Sequence, residues 1–280
     1  MLVILYWGKE NLPEVFALIK KDMQSKVIVI CNRKGGTGKT NVAINLAAYL
    51  SALGKKILLI DLDPQANASS GLGIGDCSQG IYEVLSQKIP LNSSITATRR
   101  NLWVIPANEN LAGADIELVN MPEREFVLSK VIKNILVEKD GENFDYIFID
   151  TPPSLSLITV NSLVAADQVL IPVQAEYYAL EGLGQLLETI KLIKENLQPN
   201  LGILGAVLTM YDGRGRLSAE VWEELYKHFP YKIFRTIIPR NIRLAEAPSY
   251  GQTILEYAPK SKGARAYKRL AKEFLVNNKD

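Results

Sequence analysis

Short apolar runs alternate along the chain with stretches whose apolar positions fall three and four residues apart. The first run, Val27-Ile28-Val29-Ile30-Cys31, leads through a glycine-rich segment into Val42, Ile44, Leu46, Ala47, Leu50 and Leu53. That spacing predicts a helix from near Asn41 to a stop at Gly54. Lys56–Asp61 is again continuously apolar until its final acid, the pattern of a strand buried on both faces.

The alternation continues. Residues 64–80 are rich in glycine, serine and asparagine and predict a loop, with a short helix over Ile81–Leu85. Strands are expected at Leu102–Pro106, Tyr146–Asp150, Gln168–Val173, Ile203–Met210 and Ile233–Ile238. Helices are expected at Asn110–Leu118, Arg124–Val137, Leu180–Asn196, Ser218–His228 and about Ala264–Leu275. Strands separated by helices predict an α/β fold: a doubly wound, mostly parallel sheet with helices on both faces and ligands at the carboxyl ends of its strands.

Residues 26–280 read as one domain, and 280 residues are ample for its core. Residues 1–25 read as an N-terminal extension. Its apolar start, Leu2 to Trp7, is far shorter than the roughly 20 residues of a membrane span. The following pattern of Val15, Phe16, Leu18 and Ile19 suits either a short docking helix or an upstream extension, with Met23 as the physiological start. Formal net charge is only +2, so a nucleic-acid surface would have to be a local patch. Two cysteines, Cys31 and Cys77, without a CxxC pair, and a single His228 argue against a disulfide framework or a zinc site and point to a reducing cytosol.

The chemistry gathers at Lys34-Gly35-Gly36-Thr37-Gly38-Lys39-Thr40, between the first strand and the first helix. Strand, glycine loop and helix in that order form a phosphate cradle, because glycine permits left-handed turns and the helix start presents unpaired N–H groups. Lys39 is placed for the β and γ phosphates and Thr40 for Mg²⁺. The usual GxxxxGK[ST] loop would have glycine where Arg33 stands, and Lys34 is one cation more than the cradle needs. Asp61, Asp63 and Asp150 end two central strands. Asp150 has the form of the acid that holds Mg²⁺ or its water shell in P-loop ATPases. Of Asp61 and Asp63, one can face the metal and the other the attacking water, the chain turning between them at Pro64.

The two-lysine loop, Asp61-Leu62-Asp63-Pro64-Gln65 and Phe148-Ile149-Asp150-Thr151-Pro152-Pro153-Ser154 together resemble the deviant Walker A ATPases of the ParA/Soj partitioning type. The likeness covers residues 26–280. It is sharpened by Leu111–Ala114, Gln174–Leu183 and Ile238–Ser249. The resemblance implies a P-loop NTPase fold and a Mg²⁺-dependent ATPase in which Lys34 reaches across an ATP-bound homodimer to the partner's nucleotide. Gly35, Gly36, Thr37, Gly38, Lys39, Thr40 and Asn41 would then surround the nucleotide, with Met210, Pro239 and Asn241 around the adenine. Asp63 would hold the catalytic water, with Asp61 and Asp150 about the metal. Arg214 and Arg243 match positions through which such dimers bind DNA without sequence preference. The resemblance further implies a centromere-binding ParB-type partner and a cytoplasmic, nucleoid-associated protein. Arg33, Thr37 and Asn41 depart from the usual pattern without removing a phosphate or metal ligand. Three other readings share the loop: a MinD-like membrane-positioning ATPase with an amphipathic C-terminal helix, a ParA-like positioner of another cargo, and an iron–sulfur reductase, for which Cys31 and Cys77 do not supply the ligand pattern.

Overall fold

A computed structural model describes residues 25–137, 143–176 and 179–278, so most of the N-terminal extension, and Tyr177 and Tyr178 in the Gln174–Leu183 stretch, lie outside the described residues. Seven strands form one sheet: β1 (Lys26–Ile30), β2 (Ile57–Asp61), β3 (Thr96–Arg99), β4 (Leu102–Ile105), β5 (Tyr146–Asp150), β6 (Gln168–Gln174) and β7 (Gly202–Thr209). Their order is β3-β4-β2-β5-β1-β6-β7, and all pairs are parallel except β3 with β4. The chain lays β2, β3 and β4 to one side of β1, returns to insert β5 between β2 and β1, and then crosses to β6 and β7 on the other side. That reversal makes the carboxyl end of β1 the ligand crevice.

Alternation along each strand sends side chains to two cores. Val27, Val29, Leu58 and Ile60 face α2 (Val127–Val137), α3 (Leu157–Ala165) and α4 (Ala179–Asn196). Ile28, Ile30, Ile57 and Leu59 face α1 (Lys39–Ala52) and α6 (Lys262–Asn277), where Phe274 meets Tyr146 and Phe148 edge-on and tilted. The remaining long helix, α5 (Arg216–His228), adds Val221 and Leu225 to the first core.

The expected strand at Ile233–Ile238 is a correction. It runs beside β7 and exchanges bonds with it, Phe234 N to Ala206 O at 2.9 Å and Ile238 N to Leu208 O at 2.9 Å, but makes only an isolated bridge. Between those bonds the Thr236 N–H donates instead to Glu273 of α6 at 2.9 Å, so a carboxylate interrupts the ladder. β3 was not expected at all; it is half-exposed and lacks an apolar run. The loop over 64–80 contains a short helix, Asn67–Gly71. The expected helices at 110–118 and 124–137 each begin with a 3-10 turn, Glu109–Gly113 and Arg124–Phe126.

Gly205 lets β7 shift register against β6. Its φ is +147°, and a Cβ there would stand 2.7 Å from Lys232 O. Gly205→Ala should therefore destabilise the fold by about 1–3 kcal/mol. A urea melt should show a lower midpoint with unchanged slope; an unchanged midpoint would mean that the backbone there relaxes freely.

Candidate active site

The glycine loop joins the end of β1 to the start of α1. Gly36 and Gly38 have φ of +74° and +84°, a region that disfavours side chains. Gly38 is the N-cap of α1 and provides no side-chain cap, and the first turn holds no acid. The leading N–H groups of a largely buried 14-residue helix thus point into the loop without a carboxylate to satisfy them, which suits a phosphate.

Two residues that sequence reasoning passed over hold the loop in place. Asn32 accepts from Lys34 N at 3.0 Å and donates to Pro172 O at 2.7 Å, tying the loop to β6. The Thr209 hydroxyl donates to Thr37 O at 2.7 Å, tying it to the end of β7. An asparagine two residues before a turn amide is a readable Asx signal, whereas the Thr209 contact had no local sign.

The two lysines part company. Lys39 is buried, its Nζ 3.4 Å from Lys34 O, and burial lowers its pKa against the opposing pull of Asp150. Lys34 sits at the rim, its side chain 31% exposed, with Nζ 3.0 Å from Glu176 Oε2. Glu176 in turn accepts from Gln174 at 2.6 Å and has Arg240 at 3.9 Å. The Lys34 side chain is thus turned toward Glu176, an acid that the sequence did not single out.

Asp61 and Asp150 are register partners on adjacent strands, both fully buried. Asp61 is satisfied by the protein: Oδ2 accepts from Ser69 N at 2.8 Å and Ser69 Oγ at 2.7 Å, and Oδ1 from Asp63 N at 3.1 Å. Burial pushes its carboxyl up to about 6. Asp150 differs: the Thr40 hydroxyl lies close enough to act on its carboxylate, but neither buried oxygen completes a hydrogen bond of full geometry. Burial, then the neighbouring Asp61, hold its carboxyl well above the ordinary range, with Thr40, Lys39 and Asp63 also acting on it.

An orphaned buried carboxylate is costly unless a cation joins it, and the open oxygens of Asp150 beside Thr40 fit a hard divalent ion. Among the described residues there is no cluster of three or more His, Cys, Asp or Glu able to hold a metal. A hydroxyl and one carboxylate suit Mg²⁺, which keeps much of its water and takes phosphate oxygens with few protein ligands. Thr40 and Asp150 would hold it or its waters, and Asp61 would fix the loop carrying Asp63. Bound there, the ion would neutralise phosphate charge. Asp63 is 8% exposed; its Oδ1 accepts from Gln65 N at 3.0 Å.

Beside the loop lies a cleft of about 320 Å³ whose lining includes Gly38, Asn41, Met210, Pro239, Asn241 and Tyr267. The three side chains expected around the adenine, Met210, Pro239 and Asn241, meet there with Asn41 from the start of α1. Met210 takes a left-handed φ of +52°, and Asn241 caps the short helix Ile242–Glu246 by accepting from Arg243 N at 2.9 Å. Larger clefts, about 500 and 810 Å³, are lined by neither the glycine loop nor the acids. Neither arginine is among that cleft's lining: the Arg214 side chain is 95% exposed with Asp212 at 3.5 Å, and Arg243 is half-exposed with Glu246 at 2.8 Å.

A family described as an AAA domain (AAA_31) matches residues 25–203. The sporulation initiation inhibitor protein Soj of Bacillus subtilis (strain 168) is 50% identical over 255 residues, covering 90% of this chain and 99% of that protein. The chromosome-partitioning ATPase Soj of Thermus thermophilus is 48% identical, covering 89% and 95%. Among solved structures, a Mycobacterium smegmatis cobyrinic acid a,c-diamide synthase with bound ADP and magnesium superposes with TM-score 0.78 at 32% identity, covering 90% and 94%. The cell division ATPase MinD of Pyrococcus furiosus superposes with TM-score 0.75 at 29% identity, covering 90% and 99%. The fold is that of the P-loop NTPases, the activity is ATP hydrolysis, and the chain belongs to the Soj/ParA family of chromosome-partitioning ATPases.

Proposed function

We propose that residues 26–280 act as one ATPase domain that closes into a homodimer over two ATP·Mg²⁺ molecules, binds double-stranded DNA without sequence preference in that state, and serves DNA partition with a ParB-type partner that stimulates hydrolysis and release. The observation that carries this reading is the division between the lysines: Lys39 is drawn into the loop while Lys34 stands at its rim. A partly exposed cation at the edge of a phosphate site, paired only with a surface acid, supports a role toward a second nucleotide. Two closed copies also double the arginines arrayed toward phosphates, which raises avidity without any new contact.

Among the described residues no helix is long and apolar enough to cross a membrane. For the MinD-like alternative the apolar side of α6 would have to reach lipid, yet Tyr267, Leu270 and Phe274 are spent on the core. DNA is therefore the better-supported surface.

The test is to titrate the chain with random-sequence duplex DNA in ATP, ADP and no nucleotide while following its mass. ATP alone should give a DNA-bound dimer; equal binding in all three states would overturn the switch. In the same assay Arg243→Ala should weaken every DNA sequence alike and reduce the slope of log affinity on log salt by about 0.9 per lost phosphate contact. An effect confined to one sequence would refute its assignment.

A further inference from the structure

The solvent side of α6 carries all five of that helix's basic residues, Lys262, Arg265, Lys268, Arg269 and Lys272, and all five are exposed. At 3.6 residues per turn they fall within an arc of about 120°. The opposite side, with Ala264, Tyr267, Leu270, Ala271 and Phe274, is buried.

The stripe gathers five cations on one helix face without a counter-ion. Lys34, Arg214, Arg240 and Arg243 each stand near a carboxylate, whereas none of the five has an ion pair among the described residues. The helix's one acid, Glu273, is occupied by the backbone N–H groups of Arg235 and Thr236 at 2.7 and 2.9 Å. Lys262 and Arg265 also lie in the first turn, where the helix dipole disfavours cations. Stability does not ask for charge there, and the chain as a whole is only +2.

We propose that this face of α6 is a further phosphate-contacting surface that extends the double-stranded DNA footprint beyond Arg214 and Arg243. The inference rests on the DNA-binding reading given above. From Lys262 to Lys272 the helix rises about 15 Å, enough to follow several phosphates of one strand. The stripe begins beside Arg243's own element: a Cβ on Gly263 would stand 2.8 Å from Leu244, so the start of α6 abuts Ile242–Glu246. A lipid surface fits less well, since a helix lying in a membrane must offer its apolar side, and here that side is enclosed.

The test combines Lys262→Ala, Arg265→Ala, Arg269→Ala and Lys272→Ala in the full chain, using alanine to preserve helix propensity. Random duplex DNA is titrated in ATP across a salt series, with anionic phosphatidylglycerol vesicles in parallel. The variant should bind DNA at about 0.1 M salt at least about tenfold more weakly, with a salt slope shallower by about 0.9 per lost contact. Its basal ATP turnover and thermal midpoint should not move. A second variant, Arg265→Lys with Arg269→Lys, keeps the charge and should keep the binding. If the alanine variant binds DNA like the unaltered chain, the stripe proposal falls and the DNA reading stands. If the unaltered chain binds no DNA in any nucleotide state, both fall. Vesicle binding that is lost in the alanine variant, without a change on DNA, would replace the proposal with a membrane surface.

Discussion

Lys34→Ala is expected to lower ATP turnover by about 10³–10⁵-fold, the range spanned when a cation supplied in trans to a transferring phosphoryl group is lost. ATP affinity of the single chain should stay within a few-fold, because Lys39 and the loop N–H groups already form the cradle. ATP-dependent dimerisation, followed by light scattering, should disappear. The contact Lys34 leaves behind does not explain so large a loss: its pairing with Glu176 is partly exposed, and exposed pairs are worth about 0–1 kcal/mol. That small figure also means that Lys34 can be exchanged cheaply from Glu176 to a phosphate. Mixing provides the decisive control. An Asp63→Ala chain retains Lys34 and can lend it to a Lys34→Ala chain whose Asp63 is intact, so the mixture should recover part of the activity that neither chain has alone. A mixture that stays inactive would place the role of Lys34 within its own chain.

The sequence exposes what is locally encoded. β2 and β5 are apolar up to their closing acids, and β1 after its opening Lys26, because both faces are covered, and those two acids stand out for the same reason. The glycine loop is legible because its conformation depends on its own residues. What was missed depends on contacts between distant segments. Glu176 meets Lys34 across 142 residues, and the Thr209 hydroxyl reaches Thr37 O across 172, with nothing nearby to mark either. The strand expected at Ile233–Ile238 fails through Glu273, a residue on the final helix that no window around Thr236 contains. Ser69 escaped notice because residues 64–80 look like loop, yet it donates twice to Asp61 and accepts from Ala107 N at 3.0 Å. The cleft beside the glycine loop is intermediate. Met210 and Pro239 share no local pattern, and only the family resemblance grouped them before the fold did.

Asp63→Ala should lower hydrolysis by about 10²–10⁴-fold, the usual worth of a carboxylate that orients or deprotonates an attacking water. It should also leave ATP binding and dimerisation intact, so that the variant accumulates as an ATP-bound dimer on DNA and fails to release. The two acids of this turn are separable on structural grounds. Asp61 accepts three hydrogen bonds and is fully buried, so its removal would strand the Ser69 and Asp63 donors. Asp63 uses one oxygen for Gln65 N, and its Oδ2 accepts no hydrogen bond from the described residues. A side chain with one oxygen anchored and the other available can hold a water without being needed to hold the loop. The thermal midpoint of Asp63→Ala should therefore stay close to that of the unaltered chain while turnover collapses. Normal turnover would remove Asp63 from the water's position, and the failure would be informative. Asp150 is the remaining acid with open oxygens beside Thr40 and Lys39, but on the metal reading those oxygens are committed to Mg²⁺ or its waters, so a normal Asp63 variant would require either the metal or the water to be placed differently.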